Sequence, residues 1–275
     1  MTIDTHAHLN FAAFQNDRYR VLEKCLDENI WVINVGSQAE TSQIAVEMAE
    51  KYKGGVFAAV GFHPVHAEKN EKNNFSDAGE IKKKKESGFN YEKFKEMARK
   101  KSVVAIGETG LDYYRIKKED LAGKNLQREI FTKHIELARE LEKPLIVHCR
   151  DAHDDVLEIL NSKSSILNSK NKGVLHCFSG NLKQAEKYRS LGFKIGFTGI
   201  ITFSRNYDDV VKNTPLKDIL IETDCPYLTP EPYRGKRNEP IYVIEVAKKI
   251  AEIKDISYEE VIGRTTENAK ELFRI

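Results

Sequence analysis

Short apolar, β-branched runs recur along the whole chain, and a stretch with helical periodicity follows each of them. The runs lack regular polar alternation, which is typical of strands buried on both faces of a parallel sheet. We predict eight strands, over residues 2–5, 31–35, 56–60, 103–106, 145–148, 174–176, 194–197 and 219–221. Eight βα units within 275 residues predict an α/β fold, a single (β/α)₈ barrel of the TIM type.

Helices are predicted most clearly where caps and apolar spacing agree, over residues 125–141, 151–160, 241–253 and 257–273. Pro144 lies just beyond the first of these, where a helix has to have ended. We find no composition shift that marks a second domain, so the sequence predicts one domain spanning residues 1–275.

The segment 68–101 departs from this pattern because it is polar and rich in lysine, with four consecutive lysines at 82–85. Such a charge run fits either a nucleic-acid contact or a solvated loop and helix face in the connection between strands three and four. We favour the solvated connection.

Composition narrows the setting of the protein. With 44 Lys and Arg against 42 Asp and Glu, the net charge is +2, so the chain is no polycation, and an anionic substrate is allowed but not indicated by charge. The apolar runs are far shorter than the roughly 18 residues of a membrane span, and the N-terminus lacks a secretory pattern. Four separated cysteines form no C-x-x-C pair. We therefore expect a reduced, cytoplasmic protein without a membrane contact.

Ionisable side chains stand at the carboxyl ends of the predicted strands. His6 and His8 follow the first strand, His63 the third and Glu108 the fourth; His148 and His176 end the fifth and sixth, and Asp224 follows the eighth. Parallel strands of a barrel all end at one rim, the face where barrel enzymes keep their chemistry. The sequence therefore predicts one site at the C-terminal face, although its residues are scattered along the chain.

The residue types at this rim suit divalent metal ions. Imidazole nitrogens with carboxylate oxygens bind Zn or Mn, and with more waters Mg. Six of these residues are candidate ligands, namely His6, His8, Glu108, His148, His176 and Asp224. Six ligands exceed the needs of one tetrahedral ion, so two ions that share Glu108 are the economical arrangement. Cys149, Cys177 and Cys225 each follow a candidate ligand, and strand alternation predicts that their thiols face the helical layer.

Seven ordered motifs resemble those of the TatD-like deoxyribonuclease family. They are DTHAHL (4–9), GFHP (61–64), IGETGLDY (106–113), VHCRDA (147–152), HCFSG (176–180), ETDCPYL (222–228) and RGKRNEP (234–240). The resemblance implies a metal-dependent barrel hydrolase that acts as a nuclease, often a 3′–5′ exonuclease on single-stranded DNA. It implies that His6, His8 and Asp224 hold one ion, that His148 and His176 hold the second, and that Glu108 lies between them.

This resemblance leads to a mechanism in which a water activated by metal attacks a phosphodiester. Asp224 is the candidate general base, and Glu222 is a candidate to orient a histidine ligand from behind. The candidates for substrate phosphate are His63, Arg115, Arg150, Arg234 and Arg237. Rim aromatics such as Tyr113 and Tyr114 offer either stacking for a base or core packing. His134 and His153 are interpreted as packing or surface residues, and His66 as either a phosphate contact or a loop residue.

Other functions remain open at this level. A metal-dependent hydrolase of esters or amides, such as a deacylase of mischarged tRNA, would use the same ligands. Amidohydrolases of that kind typically bridge their metals with a modified lysine after strand four, where this chain has Glu108, which favours phosphodiester chemistry. A nucleic-acid-binding module without catalysis would need no converging ligands. We expect nucleic acid as the partner, with single-stranded DNA favoured, and no obligate protein partner.

Overall fold

Eight parallel strands alternate with helices in the computed structural model, which describes residues 1–67, 80, 88–114, 116–163 and 172–275. The strands are β1 Thr2–Ala7, β2 Ile30–Val35, β3 Val56–Val60, β4 Val103–Asp112, β5 Leu145–Arg150, β6 Gly173–Leu175, β7 Phe193–Phe197 and β8 Ile219–Ile221. The described helices are α1 Arg18–Asp27, α2 Ala39–Glu50, α3 Tyr91–Ala98, α4 Leu121–Glu140, α5 His153–Ser162, α6 Leu182–Ser190, α7 Asp208–Asn213, α8 Val243–Lys254 and α9 Tyr258–Phe273. The lysine run 82–85 and Arg115 lie outside the described residues.

Each strand pairs with the next in sequence order, and β8 lies beside β1. A parallel bridge between Ala7 and Cys225 closes the barrel just beyond β8. The backbone N–H of Asp224 donates to the carbonyl of His6 at 2.9 Å, and that of His8 donates to Cys225 at 2.9 Å. The predicted (β/α)₈ barrel is confirmed, and its seam joins the chain segments that carry His6, His8 and Asp224.

Two hydrophobic layers support this barrel. One lies between the strands and the surrounding helices. The other joins Ile3, Ile33, Ala59, Ala105, Ile146, Val174 and Leu220, from strands all around the sheet. Side chains from so many strands can meet only inside a closed barrel, so this layer fills the interior. Ile146 and Val174 of this layer lie two residues before His148 and His176, so the packed layer forms the floor of the site.

The predicted helices are present with shifted ends. Helix α4 begins earlier than expected because Asp120 caps it, accepting the N–H of Gly123 at 2.9 Å. Helix α5 begins later than expected because Asp151 has a left-handed backbone, with φ 54°. Helix α9 begins one residue later than predicted because Ser257 caps it, accepting the N–H of Glu260 at 3.1 Å. None of the described helices combines the length and the apolar character needed to cross a bilayer.

Part of the segment 68–101 is a helix that packs on the barrel. In α3, Phe94, Met97 and Ala98 are buried, while the lysines of the helix lie on its other faces. Spacing of three to four residues between apolar positions explains this amphipathic helix. Residues 91–98 therefore form a helix with one solvated face and one buried, apolar face. A single domain over 1–275 stays a prediction.

His134 is buried inside the protein, so of its two predicted roles, packing or surface, it has the packing role. Its Nε2 accepts the backbone N–H of Phe62 at 3.1 Å, and its Nδ1 lies 2.8 Å from the carbonyl of Ile130. Burial lowers the pKa of His134 to about 4. The neutral ring therefore links α4 to the turn that carries His63.

This burial predicts that acid destabilises the fold through His134. An unfolded chain takes up a proton at this ring below about pH 6.5, whereas the folded chain does not until about pH 4, so stability falls as the pH drops through that window. We expect a His134→Leu variant to be less stable at pH 7.5. Between pH 6.5 and 5 its free energy of unfolding should fall by about 2 kcal/mol less than that of the wild type. Urea unfolding at both pH values measures the difference, and equal losses would contradict the prediction.

Candidate metal centre

The first group of donor atoms forms at the seam between β1 and the segment after β8. Nε2 of His6 lies 3.1 Å from Nε2 of His8, and Oδ1 of Asp224 lies 3.4 Å from the same atom of His8. The Nδ1 of His8 faces the carbonyl of Val35 at 2.8 Å, which fixes the ring with its other nitrogen toward the centre. Two imidazoles and one carboxylate thus face a common point.

Glu108 lies inside β4 and not after it, because this strand continues to Asp112. The pairing register of β4 shifts between Ile106 and Thr109, and the buried side chain of Glu108 projects into the mouth. Its Oε2 lies 3.4 Å from Nε2 of His6, and its Oε1 lies 2.9 Å from Nδ1 of His148. Each oxygen of Glu108 therefore faces a different group of donors.

The second group contains His148 from β5 and His63 from the loop after β3. Nε2 of His63 lies 3.3 Å from Oε1 of Glu108, the same oxygen that faces His148. The other nitrogen of His148, Nε2, lies 3.1 Å from Oδ2 of Asp112. The structure thus places His63, predicted as a phosphate contact, beside Glu108.

His176 lies between the two groups. Its Nε2 is 3.8 Å from Oε1 of Glu108 and 3.7 Å from Oδ1 of Asp224, and its ring stacks on His6 with centroids 3.5 Å apart. The six residues predicted as metal ligands are therefore brought together: His6, His8, Glu108, His148, His176 and Asp224.

Glu222 contacts the ring nitrogen of His176 that faces away from Glu108 and Asp224. This agrees with the prediction that Glu222 orients a histidine. Its Oε1 lies 2.8 Å from Nδ1 of His176 and accepts the backbone N–H of Cys177 at 2.6 Å. Gly196 leaves room for this carboxylate, since a Cβ there would lie 2.9 Å from Oε2 of Glu222. The predicted orientation of Cys177 is wrong. Its φ of 43° breaks the strand alternation, and its Sγ lies within 4.8 Å of donor atoms of His176 and Asp224.

Charges in the site balance one another. Burial opposes charge on every one of these groups, but contacts with Asp112 and Glu108 outweigh it at His148 and raise its pKa to about 9. Contacts with Glu222, Asp224 and Glu108 likewise raise the pKa of His176 to about 10. Neighbouring histidines hold the pKa of Glu108 well below its usual value despite burial. Protons on imidazoles therefore offset the carboxylates, a role that divalent cations can take over.

His6 differs from its neighbours. Burial, and then the charge of His176, lower the pKa of His6 to about 4. A neutral ring is the form that binds metal. Converging nitrogens and oxygens, held by buried contacts, suit divalent Zn, Mn or Mg. The residues present therefore fit a metal centre.

The structure shows two residues that the sequence analysis missed. Asp112 contacts His148. Side chains two residues apart in a strand share a face, so the position of Glu108 in β4 could have predicted that Asp112 also faces the site. Asp4 is buried and accepts Oγ1–H of Thr223 at 2.5 Å and the N–H of His6 at 3.2 Å. Burial raises the pKa of Asp4 to about 8. Asp4 thus ties β1 to the segment that carries Asp224.

The arginines predicted to bind phosphate have other contacts. Arg237 pairs with Asp17 at 2.7 Å and with Glu239 at 3.1 Å. Nη1 of Arg234 donates to the carbonyl of Thr229 at 2.8 Å. The guanidinium of Arg150 lies over the ring of Tyr114, 3.7 Å from its centroid. Phosphate binding by these arginines stays a prediction.

The other two histidines have structural neighbours. Nε2 of His66 lies 3.2 Å from Oε1 of Glu80, which also accepts Oγ–H of Ser37 at 2.5 Å. His153 packs beside Cys149 and Tyr188, with Nδ1 at 3.3 Å from Sγ and 3.1 Å from the hydroxyl. These contacts favour a loop role for His66 and a packing role for His153.

Known proteins are similar to this chain in sequence and fold. A family model described as TatD related DNase matches residues 3–274. An uncharacterized metal-dependent hydrolase, YabD of Bacillus subtilis, is 40% identical over the full length of both chains. The 3′-5′ ssDNA/RNA exonuclease TatD of Yersinia pseudotuberculosis is 30% identical over 99% of both chains. The crystal structure of YJJV, a TatD homolog from Escherichia coli, has a TM-score of 0.84 at 29% identity, covering 100% of this chain and 98% of the other.

Proposed function

Because this chain belongs to the TatD-related DNase family of metal-dependent hydrolases, we propose that it is a nuclease that hydrolyses phosphodiester bonds of single-stranded DNA from the 3′ end. A relative named as a 3′-5′ ssDNA/RNA exonuclease supports the choice of substrate and polarity. The family and the donor set support dependence on divalent metal, and two ions of Mg, Mn or Zn are part of the proposal.

One observation carries this proposal: the two oxygens of Glu108 face separate groups of nitrogen and oxygen donors. A carboxylate in that position suits a pair of cations, with His6, His8 and Asp224 on one side and His148 and His176 on the other. When bound, two divalent ions would lower the pKa of a water molecule toward neutral pH and offset the negative charge that develops on a phosphodiester. His63 adjoins this carboxylate, and its Nε2, 3.3 Å from Oε1 of Glu108, is the nitrogen proposed to face a substrate phosphate, because its Nδ1 accepts the backbone N–H of Val65.

Asp224 is the proposed general base. Its side chain is 15% exposed, against 5% for Glu108, so it is the carboxylate that opens toward a substrate. Contacts with His176 and His8 hold its pKa below the usual value despite burial, so Asp224 is ionised near neutral pH, the form that can accept a proton. Asp112 behind His148 and Glu222 behind His176 fix ring orientations, as carboxylates behind histidine ligands commonly do.

Labelled strands test the function and its polarity together. Protein stripped with a chelator is dialysed and then supplied with Mg, Mn or Zn, and incubated with one oligonucleotide labelled at the 5′ end or at the 3′ end. We expect a ladder of shortened strands from the 5′ label, immediate release of labelled mononucleotide from the 3′ label, and no product without metal. Elemental analysis of untagged protein should find about two ions per chain.

The same preparation is incubated with an aminoacylated tRNA to test for ester hydrolysis. Release of amino acid from that tRNA, with both strands left intact under every metal, would overturn the nuclease proposal in favour of an ester hydrolase. Intact strands with no released amino acid would equally contradict nuclease activity.

A further inference from the structure

Beside the metal centre, Tyr114 and Arg150 form a stacked pair at the rim of the barrel. The guanidinium of Arg150 lies 3.7 Å from the centroid of the Tyr114 ring. The tyrosine remains 61% exposed although Arg150 covers one face. The opposite face of the ring is therefore accessible to a planar ligand.

This pair is attached directly to the proposed ligands. Asp112 accepts the N–H of Tyr114 through Oδ1 at 3.1 Å, while its Oδ2 lies 3.1 Å from Nε2 of His148. Arg150 is the register partner of Asp112 and stands two residues after His148 on β5. One carboxylate thus connects the metal centre with the backbone of the exposed tyrosine.

The neighbouring Tyr113 differs from Tyr114 because its hydroxyl and its ring both have partners within the protein. Its hydroxyl donates to Oδ2 of Asp155 at 2.7 Å, and Lys124 lies over its ring. Tyr113 is partly buried against the hydrophobic layer, unlike Tyr114. A planar ligand that covers the exposed ring of Tyr114 would be bound favourably, because burial of an aromatic face is stabilising.

We propose that Tyr114, steadied by Arg150, is a stacking site for one unpaired nucleobase next to the scissile phosphate. The proposal rests on the nuclease function and adds a reason for single strands, since a base can reach the ring only when it has left a duplex. Aromatic rings and guanidinium planes are the usual platforms for such bases and accept any base. The charge of Arg150 also attracts the adjoining phosphate.

A Tyr114→Ala variant tests this site. We expect its KM for a single-stranded oligonucleotide to rise about 5- to 100-fold with kcat little changed, the range found when a stacking aromatic is removed. Tyr114→Phe should behave as the wild type. Tyr19→Ala is the matched control, because Tyr19 is also exposed with a cation, Lys51, over its ring, but lies on α1.

An abasic nucleotide moved along the strand shows whether a base is what the ring binds. When the abasic nucleotide occupies one position near the cleaved bond, the KM of the wild type should rise to that of Tyr114→Ala. A 2-aminopurine at that position should be quenched by the wild type and not by the variant. An unchanged KM in Tyr114→Ala, or a rise that persists with every abasic strand, would overturn the stacking site while the nuclease proposal stands. A wild type that degrades no strand would instead refute the nuclease function itself.

Discussion

Replacing Glu108 by Gln is expected to lower kcat/KM for single-stranded DNA on the order of 10⁴-fold. Gln keeps the volume of the side chain but removes the negative charge that faces His6 through Oε2 and His148 through Oε1. Without that charge, two cations would repel each other across a neutral amide. The loss of several kcal/mol of electrostatic stabilisation corresponds to the expected fall in rate.

Initial rates with saturating Mn, together with metal content, measure this effect. We expect fewer than two ions per chain in Glu108→Gln and an unchanged far-UV spectrum. Glu158→Gln is the control, because Glu158 is 68% exposed and pairs only with Arg128 among the described contacts. A Glu108→Gln enzyme that keeps more than a tenth of wild-type activity would contradict the bridging role.

Asp224→Asn is expected to lower kcat about 10³-fold and to change KM little. Asn cannot accept a proton, and it removes a charge that lies 3.4 Å from Nε2 of His8. Asp27→Asn is the control, since Asp27 is exposed at the end of α1, directly before β2 and therefore at the opposite face of the barrel.

Titration with Mn separates the two roles proposed for Asp224. If Asp224 is both ligand and base, excess metal should refill the site without restoring kcat. Full recovery of kcat at high Mn would show that Asp224 serves as a ligand only.

The convergence of the ligands could be predicted because every strand of a parallel barrel ends at the same face. Each of His148, His176 and Asp224 follows an apolar run, and parallel direction alone brings them to one face. Residues in irregular backbone could not be placed this way. The register shift in β4 puts Glu108 inside the strand, and the positive φ of Cys177 turns its thiol toward the site.

Contacts made by polar residues behind the ligands were also harder to predict. Asp4 looks like any buried strand residue in the sequence, and its bond to Thr223 depends on how the barrel closes. Asp112 could have been found by alternation, whereas the ion pair of Arg237 with Asp17 joins loops whose relative position no local pattern specifies.

The seam of the barrel has a consequence for biosynthesis. His6 and His8 leave the ribosome first, whereas Asp224 is among the later residues to be translated, and the bridge between Ala7 and Cys225 requires both. A nascent chain that stops before β8 has no partner for β1 and lacks a third of the first donor group. We therefore expect a chain that stops before Asp224 to lack cleavage activity, because its first donor group is incomplete and β1 has no partner at the seam.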